Sequence, residues 1–299
     1  MKPPPQKKVI IISGATAVGK TSVAIQLAKH FETEIISADS RQCFKELNIG
    51  VARPSEKELA AVPHHFIASH SVLDKVDAVV FEKYALEKLE IIFKNHSTAV
   101  LVGGTGLYIK AFCTGMDEMP QIAESIRQLI IKNYQAKGIE WLQEQLKSKD
   151  PEFYATGEIK NPQRMMRALE IYEATGKSIL ELRSGNKIIR DFNIIKIGLE
   201  LPKEELHRNI HARVDNMIEN GLVNEVGSLK TFRHLNALQT VGYTELFEFI
   251  DGNSTLEAAI EKIKTNTRQY AKRQMTWFKK DEAIKWFHPM AIKEMISFI

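Results

Sequence analysis

Eight residues near the start of the chain form a phosphate-binding pattern. The segment Gly14-Ala15-Thr16-Ala17-Val18-Gly19-Lys20-Thr21 fits the P-loop pattern G-x-x-x-x-G-K-[ST]. Its glycines let consecutive backbone N–H groups point at one anion, and the helix that follows adds the positive end of its dipole. Lys20 supplies a cation, and the Thr21 hydroxyl is a candidate ligand for Mg²⁺. These residues therefore predict a site for a polyphosphate and a magnesium ion.

A second acidic residue that P-loop proteins commonly use is missing from its expected place. Proteins that hydrolyse nucleoside triphosphates usually hold Mg²⁺ with an acid at the end of another buried strand. The candidate strand here, residues 100–102, is followed by Gly103-Gly104-Thr105-Gly106. This favours a polyphosphate other than ATP, although binding of nucleoside triphosphates to the loop stays open.

Asp39 is the candidate acid–base residue. It follows the second predicted strand, residues 34–38, and precedes Ser40-Arg41-Gln42. In open α/β sheets ligands bind beyond the carboxyl ends of the strands, so Asp39 would face the group that reacts with the phosphate-bearing ligand. An aspartate at such a position also commonly caps a helix or a turn, and that structural role stays open.

The elements that must position these residues alternate between strands and helices. Buried-strand patterns occur at 9–12, 34–38, 99–102, 194–199 and 284–287, and helical patterns at 21–30, 77–95, 204–220 and 255–280. This alternation predicts an α/β fold, a P-loop core with a parallel sheet flanked by helices.

Between residues 121 and 190 the sequence shows only helical patterns, at 122–136, 139–147, 162–175 and 178–182. We therefore predict an all-helical insertion domain at 121–190. The core would comprise residues 1–120 and residues 191–299, the latter with basic C-terminal helices.

The composition is that of a soluble globular enzyme. The 299 residues include 44% hydrophobic and 26% charged residues, with a formal net charge of +4, which is compatible with a polyanionic partner but does not establish one. Cys43 and Cys113 form no Cys-x-x-Cys pair, so we expect free thiols. Apolar runs are too short for a signal peptide or a membrane span. We expect a cytoplasmic monomer with no membrane contact and no obligate protein partner.

Further motifs, taken in order, resemble those of the tRNA dimethylallyltransferases, also called tRNA isopentenyltransferases. They are Asn48-Ile49-Gly50-Val51-Ala52-Arg53-Pro54, Pro63-His64-His65, Val102-Gly103-Gly104-Thr105-Gly106-Leu107-Tyr108, Asn161-Pro162-Gln163-Arg164, Arg167-Ala168-Leu169-Glu170, Val241-Gly242-Tyr243 and residues 267–277. The resemblance is to the bacterial form, because the zinc-finger tail common in eukaryotic members does not follow. Val51 and Phe44 replace the family's usual Thr and Tyr, which leaves a polar role at these two positions open.

The resemblance implies a prenyl transfer. A dimethylallyl group would pass from dimethylallyl diphosphate to N6 of the adenosine 3′-adjacent to the anticodon, with release of diphosphate. By resemblance, Asp39 accepts the proton of the amine, Thr105 lies near the reacting base and Arg213 reaches the diphosphate. The P-loop and a Mg²⁺ on Thr21 would stabilise the leaving group.

The resemblance also names residues that contact the tRNA anticodon loop, whose target base must leave its stack to enter the protein. They are Asp39, Ser40, Arg41, Gln42, Thr105, Arg127, Gln163, Arg164, Met165, Met166, Arg167, Gln239, Thr240, Val241, Gly242, Tyr243 and Thr244. A basic face on the C-terminal helix also suits tRNA phosphates, although a solvated charged face has the same pattern. Its members are Lys264, Arg268, Lys272, Arg273, Lys279 and Lys280.

Two other functions stay open. A P-loop kinase of small metabolites could use residues 163–167 as an arginine-bearing lid over ATP. An RNA-binding module without chemistry would need neither the P-loop nor Asp39. The missing strand-end acid and the ordered motifs favour the transferase.

Overall fold

The structure is a computed structural model and describes residues 6–183, 185 and 187–299. The chain divides into two compact units. The core unit comprises Met1–Gly115 and Ile189–Ile299, and the helical unit comprises Met116–Ile188. The sequence patterns had placed the helical unit at residues 121–190.

A six-stranded parallel sheet forms the centre of the core unit, as far as the chain is described. Its strands are β1 (Lys8–Gly14), β2 (Ile35–Ser37), β3 (His64–His65), β4 (Thr98–Val102), β5 (Asn193–Leu199) and β6 (Lys285–Phe287). Their order in the sheet is β3-β2-β4-β1-β5-β6. The α/β fold class with a helix-flanked parallel sheet is confirmed. The short edge strand β3 was not predicted, because two histidines carry no strand pattern.

Helices flank the sheet and make up the helical unit. They are α1 (Lys20–His30), α2 (Glu56–Ala61), α3 (Ala78–Ile92), α4 (Gly106–Thr114), α5 (Glu124–Lys149), α6 (Pro151–Thr156), α7 (Pro162–Thr175), α8 (Ile179–Leu182), α9 (Lys203–Glu219), α10 (Leu222–Ser228), α11 (Tyr243–Ile250), α12 (Leu256–Phe278) and α13 (Ile292–Phe298).

The register of the sheet brings the ends of the functional strands together. Strand β1 lies between β4 and β5, with Ile12 opposite both Val102 and Ile197. Its isoleucines are buried, which explains the unbroken apolar run of the sequence. The next strand over, β2, ends with Ser37 opposite Val102. The loops after β1, β2 and β4 therefore leave the same edge of the sheet.

The helical unit has its own apolar core, which includes Leu142, Leu146, Met165 and Leu169. Helix α5 is interrupted at Gly138, whose backbone is not helical, and this explains the two separate helical patterns of the sequence. Asn161 caps α7 by accepting a hydrogen bond from the backbone N–H of Arg164.

Two expectations about cysteines and membranes can be checked. Both Cys43 and Cys113 are free and buried, and burial raises the pKa of the Cys113 thiol to about 11. Within the described residues, every helix is too short or too polar to cross a bilayer.

Candidate active site

A cavity of about 270 Å³ lies at the edge of the sheet where the P-loop begins. Its walls include loop residues 16–17 and 19–21, Asp39 and Gln42 after β2, and Gly103 and Gly104 after β4. Helix α9 contributes Arg213, and α12 contributes Tyr270 and Gln274. The cavity thus gathers side chains from five segments that are far apart in the sequence.

The P-loop is already in the curved conformation that the motif predicts. Gly19 caps α1 with φ 97°, a left-handed conformation that favours glycine. The Lys20 Nζ donates hydrogen bonds to the carbonyl oxygens of Gly14 at 3.2 Å and Ala15 at 2.7 Å. Burial, and then the charge of Arg213, lower the pKa of Lys20 to about 7. A bound anion would therefore stabilise a charge that the protein alone holds poorly.

Arg213 lies beside the P-loop, where its Nη1 donates to the Thr16 Oγ1 at 3.3 Å. Burial lowers the pKa of this guanidinium, and the negative charge of Asp39 opposes the shift. Two cations, Lys20 and Arg213, thus line the cavity beside Asp39 and suit an anionic ligand; the cavity also has Glu58, whose carboxylate already accepts hydrogen bonds from Ser55.

Asp39 caps a turn, and it also lines the cavity beside the P-loop. Its Oδ1 accepts hydrogen bonds from the backbone N–H groups of Arg41 at 2.9 Å and Gln42 at 3.2 Å, which is an Asx-turn. Among the described residues, none donates a hydrogen bond to Oδ2. The turn therefore fixes the carboxylate while one oxygen remains for a ligand.

Thr105 and Gln42 hold the loops around Asp39. The Thr105 Oγ1 accepts a hydrogen bond from the backbone N–H of Ser40 at 3.0 Å. Gln42 Nε2 donates to the carbonyl oxygens of Val51 at 3.2 Å and Ala52 at 2.9 Å. Gln42 thus lines the cavity with its amide N–H groups already used by the protein backbone.

Gln274, which we did not select from the sequence, joins two sides of the cavity. Its Oε1 accepts a hydrogen bond from the backbone N–H of Thr16 at 2.8 Å, and its Nε2 donates to the carbonyl oxygen of Gly104 at 2.9 Å. A Cβ on residue 104 would lie 2.2 Å from that Nε2. At Gly103, directly after β4, a Cβ would lie 2.1 Å from the backbone carbonyl oxygen of Ala38, which gives a physical reason why no acidic side chain stands at this strand end.

Glu225 is a second residue that sequence reasoning missed. Its carboxylate accepts hydrogen bonds from the backbone N–H groups of Asn48, Ile49 and Gly50 at 2.8–3.1 Å and from the Tyr243 hydroxyl at 2.6 Å. It therefore anchors the segment that leads to Val51 and Ala52. The sequence pointed to Glu225 only indirectly, through the spacing of the motifs that contain its hydrogen-bond partners, residues 48–50 and Tyr243.

The predicted tRNA contacts at residues 239–244 are partly structural. The Tyr243 side chain is fully buried, and its predicted tRNA contact stays a prediction. Gly242 is also buried, and its N–H donates to Glu245 at 2.8 Å. Gln239 is exposed, and Thr240, Val241 and Thr244 are partly exposed.

In the helical unit the predicted RNA contacts divide in the same way. Met165 and Met166 are buried in the apolar core of the unit, so their side chains pack the unit, and their predicted contact with tRNA stays a prediction. Gln163 and Arg164 are exposed, and Arg164 pairs with Glu158.

Arg127 and Arg167 converge on one carboxylate of the helical unit. The Glu170 side chain is buried, and it lies 3.8 Å from Arg127 Nε and 3.3 Å from Arg167 Nη1. A buried carboxylate needs such partners. Each guanidinium nevertheless keeps more than 40% of its side chain exposed, which leaves donors for a second anion.

Two of the six cations predicted on the basic face of α12 are paired with carboxylates among the described residues. Lys264 pairs with Asp215 at 2.8 Å and with Glu261 at 3.2 Å. Lys279 pairs with Glu200 at 3.1 Å. Only part of this face thus remains available to phosphates.

Comparisons with known proteins identify the family of the chain. Residues 42–281 match the family described as IPP transferase. The tRNA dimethylallyltransferase of Christiangramia forsetii is 50% identical over 279 residues, which cover 93% of this chain and 92% of that protein. The tRNA dimethylallyltransferase of Cytophaga hutchinsonii is 46% identical over 293 residues, which cover 98% and 96%.

Solved structures show the same relationship. The full-length tRNA isopentenylpyrophosphate transferase of Bacillus halodurans is 33% identical with a TM-score of 0.72, over 98% of this chain and 95% of that one. A eukaryotic dimethylallyltransferase, described as acting on tRNA, is 27% identical with a TM-score of 0.77, over 96% and 75%. The chain belongs to the tRNA dimethylallyltransferase family, the IPP transferases.

Proposed function

We propose that the protein transfers a dimethylallyl group from dimethylallyl diphosphate to N6 of the adenosine 3′-adjacent to the anticodon of tRNA, and releases diphosphate. The observation that carries the proposal is the cavity in which a P-loop, two cations and the carboxylate of Asp39 meet. Membership of the family supplies the class of reaction.

The donor side of the reaction belongs to the P-loop. Breaking the bond between the allylic carbon and the diphosphate oxygen leaves negative charge on that oxygen. Lys20 and Arg213 line the cavity, and the loop N–H groups and the start of α1 add fixed positive dipoles. These groups stabilise the developing charge. The pKa of Lys20 is lowered in the protein without ligand, and a bound diphosphate would raise it and so favour the protonated amine.

A magnesium ion fits the oxygen atoms of this cavity. No cluster of three or more acidic, histidine or cysteine ligands occurs among the described residues. Mg²⁺ typically binds through one or two protein oxygens together with substrate phosphates and waters, and the Thr21 hydroxyl lines the cavity. When bound, the ion would neutralise charge on the diphosphate oxygens.

The acceptor side of the reaction belongs to Asp39. The exocyclic amine of adenine is a weak nucleophile, because its lone pair is delocalised into the ring. A carboxylate that accepts a hydrogen bond from this N–H orients the amine and takes its proton as the new N–C bond forms. Asp39 Oδ2 has no donor from the described residues and is held by the turn at Oδ1, so it meets this need.

The walls of the cavity also offer a surface for the flipped base. The ring of Tyr270 lines the cavity, and the guanidinium carbon of Arg273 lies 5.8 Å from the ring centroid. An aromatic face next to a cation is a suitable stacking platform for a base. The exposed Gln163 and Arg164 of the helical unit, together with the half-exposed Arg127 and Arg167, are predicted contacts for the anticodon loop.

The kinase alternative is weaker than the transferase. Its lid would need residues 163–167 free to close over ATP, but Met165 and Met166 are core residues. The strand β4 is followed by Gly103, where a Cβ would lie 2.1 Å from the Ala38 carbonyl oxygen, and not by the acid that a hydrolase carries.

The proposal is tested by product analysis. The protein is incubated with Mg²⁺, dimethylallyl diphosphate and unmodified tRNA, and the digested nucleosides are analysed by mass spectrometry. We expect an adenosine heavier by one dimethylallyl group, at the position 3′-adjacent to the anticodon. Unmodified adenosine there, with ATP consumed in a parallel incubation, would favour the kinase.

A further inference from the structure

A second cavity of about 690 Å³ lies in the core unit, on the other side of the P-loop from the cavity that contains Asp39. We call the cavity with Asp39 the donor cavity. Among the residues that the structure describes, none lines both cavities. Along the P-loop and α12, residues that line one cavity alternate with residues that line the other. Loop residues 16 and 17 face the donor cavity, whereas Ala15 and Val18 face the second one. The P-loop and α12 therefore form a wall between two separate cavities.

The floor of the second cavity is apolar. It includes Leu199 and Leu201 at the end of β5, Leu206 on α9, and Met275 on α12. Leu201, Leu206 and Met275 are only partly buried, so part of their apolar surface faces the open space. A cavity of this size and lining resembles small-molecule sites, which commonly measure about 300–1,000 Å³ and are mainly apolar.

The rim of the same cavity is cationic. Lys203, Arg268 and Lys272 line it, and among the described residues none of the three forms an ion pair with a carboxylate. Lys279 also lines it and is paired with Glu200. Burial first, and then the charges of Arg268 and Lys203, lower the pKa of the neighbouring His207. Three cations without a carboxylate partner among the described residues therefore surround an apolar floor, although Glu204 partly opposes their field at His207.

We propose that this cavity binds an anionic amphiphile, with its hydrocarbon chain on the apolar floor and its negatively charged head group between Lys203, Arg268 and Lys272. The charge complementarity selects the sign of the head group, and the floor requires a chain to cover it. A phosphorylated polyprenol and a fatty acid share this chemistry. A tRNA backbone fits less well, because phosphates and riboses would leave the leucines and Met275 uncovered.

The test uses two probes with the whole protein and does not depend on the proposed transferase activity. Calorimetry measures binding of laurate, below its micelle concentration, and of farnesyl diphosphate, in each case with saturating inorganic diphosphate and Mg²⁺ in the buffer. The probe that binds more tightly shows whether the site prefers a carboxylate or a diphosphate head group. Dodecyltrimethylammonium, which has the same chain as laurate and the opposite charge, is the control ligand and should not bind.

Variants locate the site. Lys203→Glu and Lys272→Glu change exposed residues, and we expect each to weaken binding of the anionic probes at least about tenfold, because each replaces an attractive charge by a repulsive one. Lys262→Glu is the matched control: it makes the same charge change on an exposed position of α12 that does not line the cavity. It should alter the affinity by less than about twofold.

Four results would overturn the proposal. They are no binding of either anionic probe at millimolar concentration, equal binding of dodecyltrimethylammonium, equal losses in Lys272→Glu and Lys262→Glu, and complete displacement of the probe by an anticodon stem-loop RNA. The last result would assign the groove to RNA. Thermal melting of each variant shows that a lost affinity reflects the binding site and not the loss of the fold.

Discussion

The donor cavity of the core unit and the RNA-contacting surface predicted on the helical unit hold their charged groups in different ways. In the cavity, Lys20, Arg213 and Asp39 are fixed by hydrogen bonds to the backbone or to neighbouring side chains. In the helical unit, Arg164 is exposed and pairs with one exposed acid, Glu158. Catalysis at a developing charge requires groups that are already in place, whereas capture of a large polyanion tolerates mobile ones. Substitutions should therefore have large effects in the cavity and small effects on the helical unit.

The largest effect is expected at Asp39. Asp39→Asn keeps an oxygen for the N–H groups of Arg41 and Gln42, so the turn and the donor cavity should persist. It removes the proton acceptor, and general-base catalysis contributes roughly 10²–10⁴-fold. We expect kcat to fall by that factor while the Kd of the donor stays the same. Steady-state kinetics and calorimetry measure the two values, and a near-normal kcat would exclude Asp39 as the base.

The next effect is expected at Gln274, which joins the P-loop to Gly104. Gln274→Ala leaves the part-buried Thr16 N–H and the buried Gly104 carbonyl without their partner, and the buried carbonyl alone costs about 1–3 kcal/mol. We expect a lower Tm and weaker donor binding, measured by thermal melting and calorimetry. Gln269→Ala, an exposed position on the same helix, is the control and should change neither.

These two residues also show what sequence can and cannot predict. Asp39 and the P-loop were predictable because strand, loop and ligand-binding residues are neighbours in the chain. Gln274 and Thr16 are 258 residues apart, and Glu225 lies 175–177 residues from the loop that it anchors. Only the folded structure brings such pairs together.

Side-chain direction was the other limit on prediction. A resemblance to a family shows which positions correspond, but it does not show which side chains of a helix face the core. Met165 and Met166 were placed on the RNA surface, yet they follow the buried face of α7. By contrast, the helical pattern predicted α7 at residues 162–175, and the structure shows why it begins and ends there: Asn161 caps its start, Pro162 is its first residue and Gly176 ends it in a left-handed conformation.

The pH dependence of donor binding tests the role of Lys20 in the cavity of the core unit. The pKa of Lys20 is about 7 in the free protein, and a bound diphosphate would raise it, so binding takes up a proton above that pH. Donor affinity should be fully present below about pH 7 and fall as the pH rises, by at most about tenfold per pH unit. Calorimetry with Mg²⁺ and inorganic diphosphate measures this dependence. Lys20→Ala should bind more weakly and lose the dependence, and an unchanged slope in that variant would assign the proton to another group.

A smaller and more selective effect is expected at Thr21. Thr21→Ala removes the hydroxyl proposed as a Mg²⁺ ligand, while waters can replace one ligand of this ion. We expect a several-fold higher Mg²⁺ requirement and weaker donor binding, with little change in tRNA affinity. Magnesium titrations of the activity and filter binding of tRNA measure both. A loss of tRNA affinity with unchanged donor binding would mean that the two ligands have been placed wrongly.

The central claim is that the core cavity binds the donor and that the helical unit contributes to tRNA capture. The most direct test measures Arg213→Ala and Arg164→Ala against both ligands, by calorimetry for dimethylallyl diphosphate and by filter binding for tRNA. Arg213→Ala should weaken donor binding about 10–100-fold, the value of a lost charge-assisted hydrogen bond, and leave tRNA affinity within about twofold. Arg164→Ala should weaken tRNA binding several-fold and leave donor binding unchanged. Weakened donor binding in Arg164→Ala, or a tRNA affinity that depends on Arg213 and not on Arg164, would contradict this division.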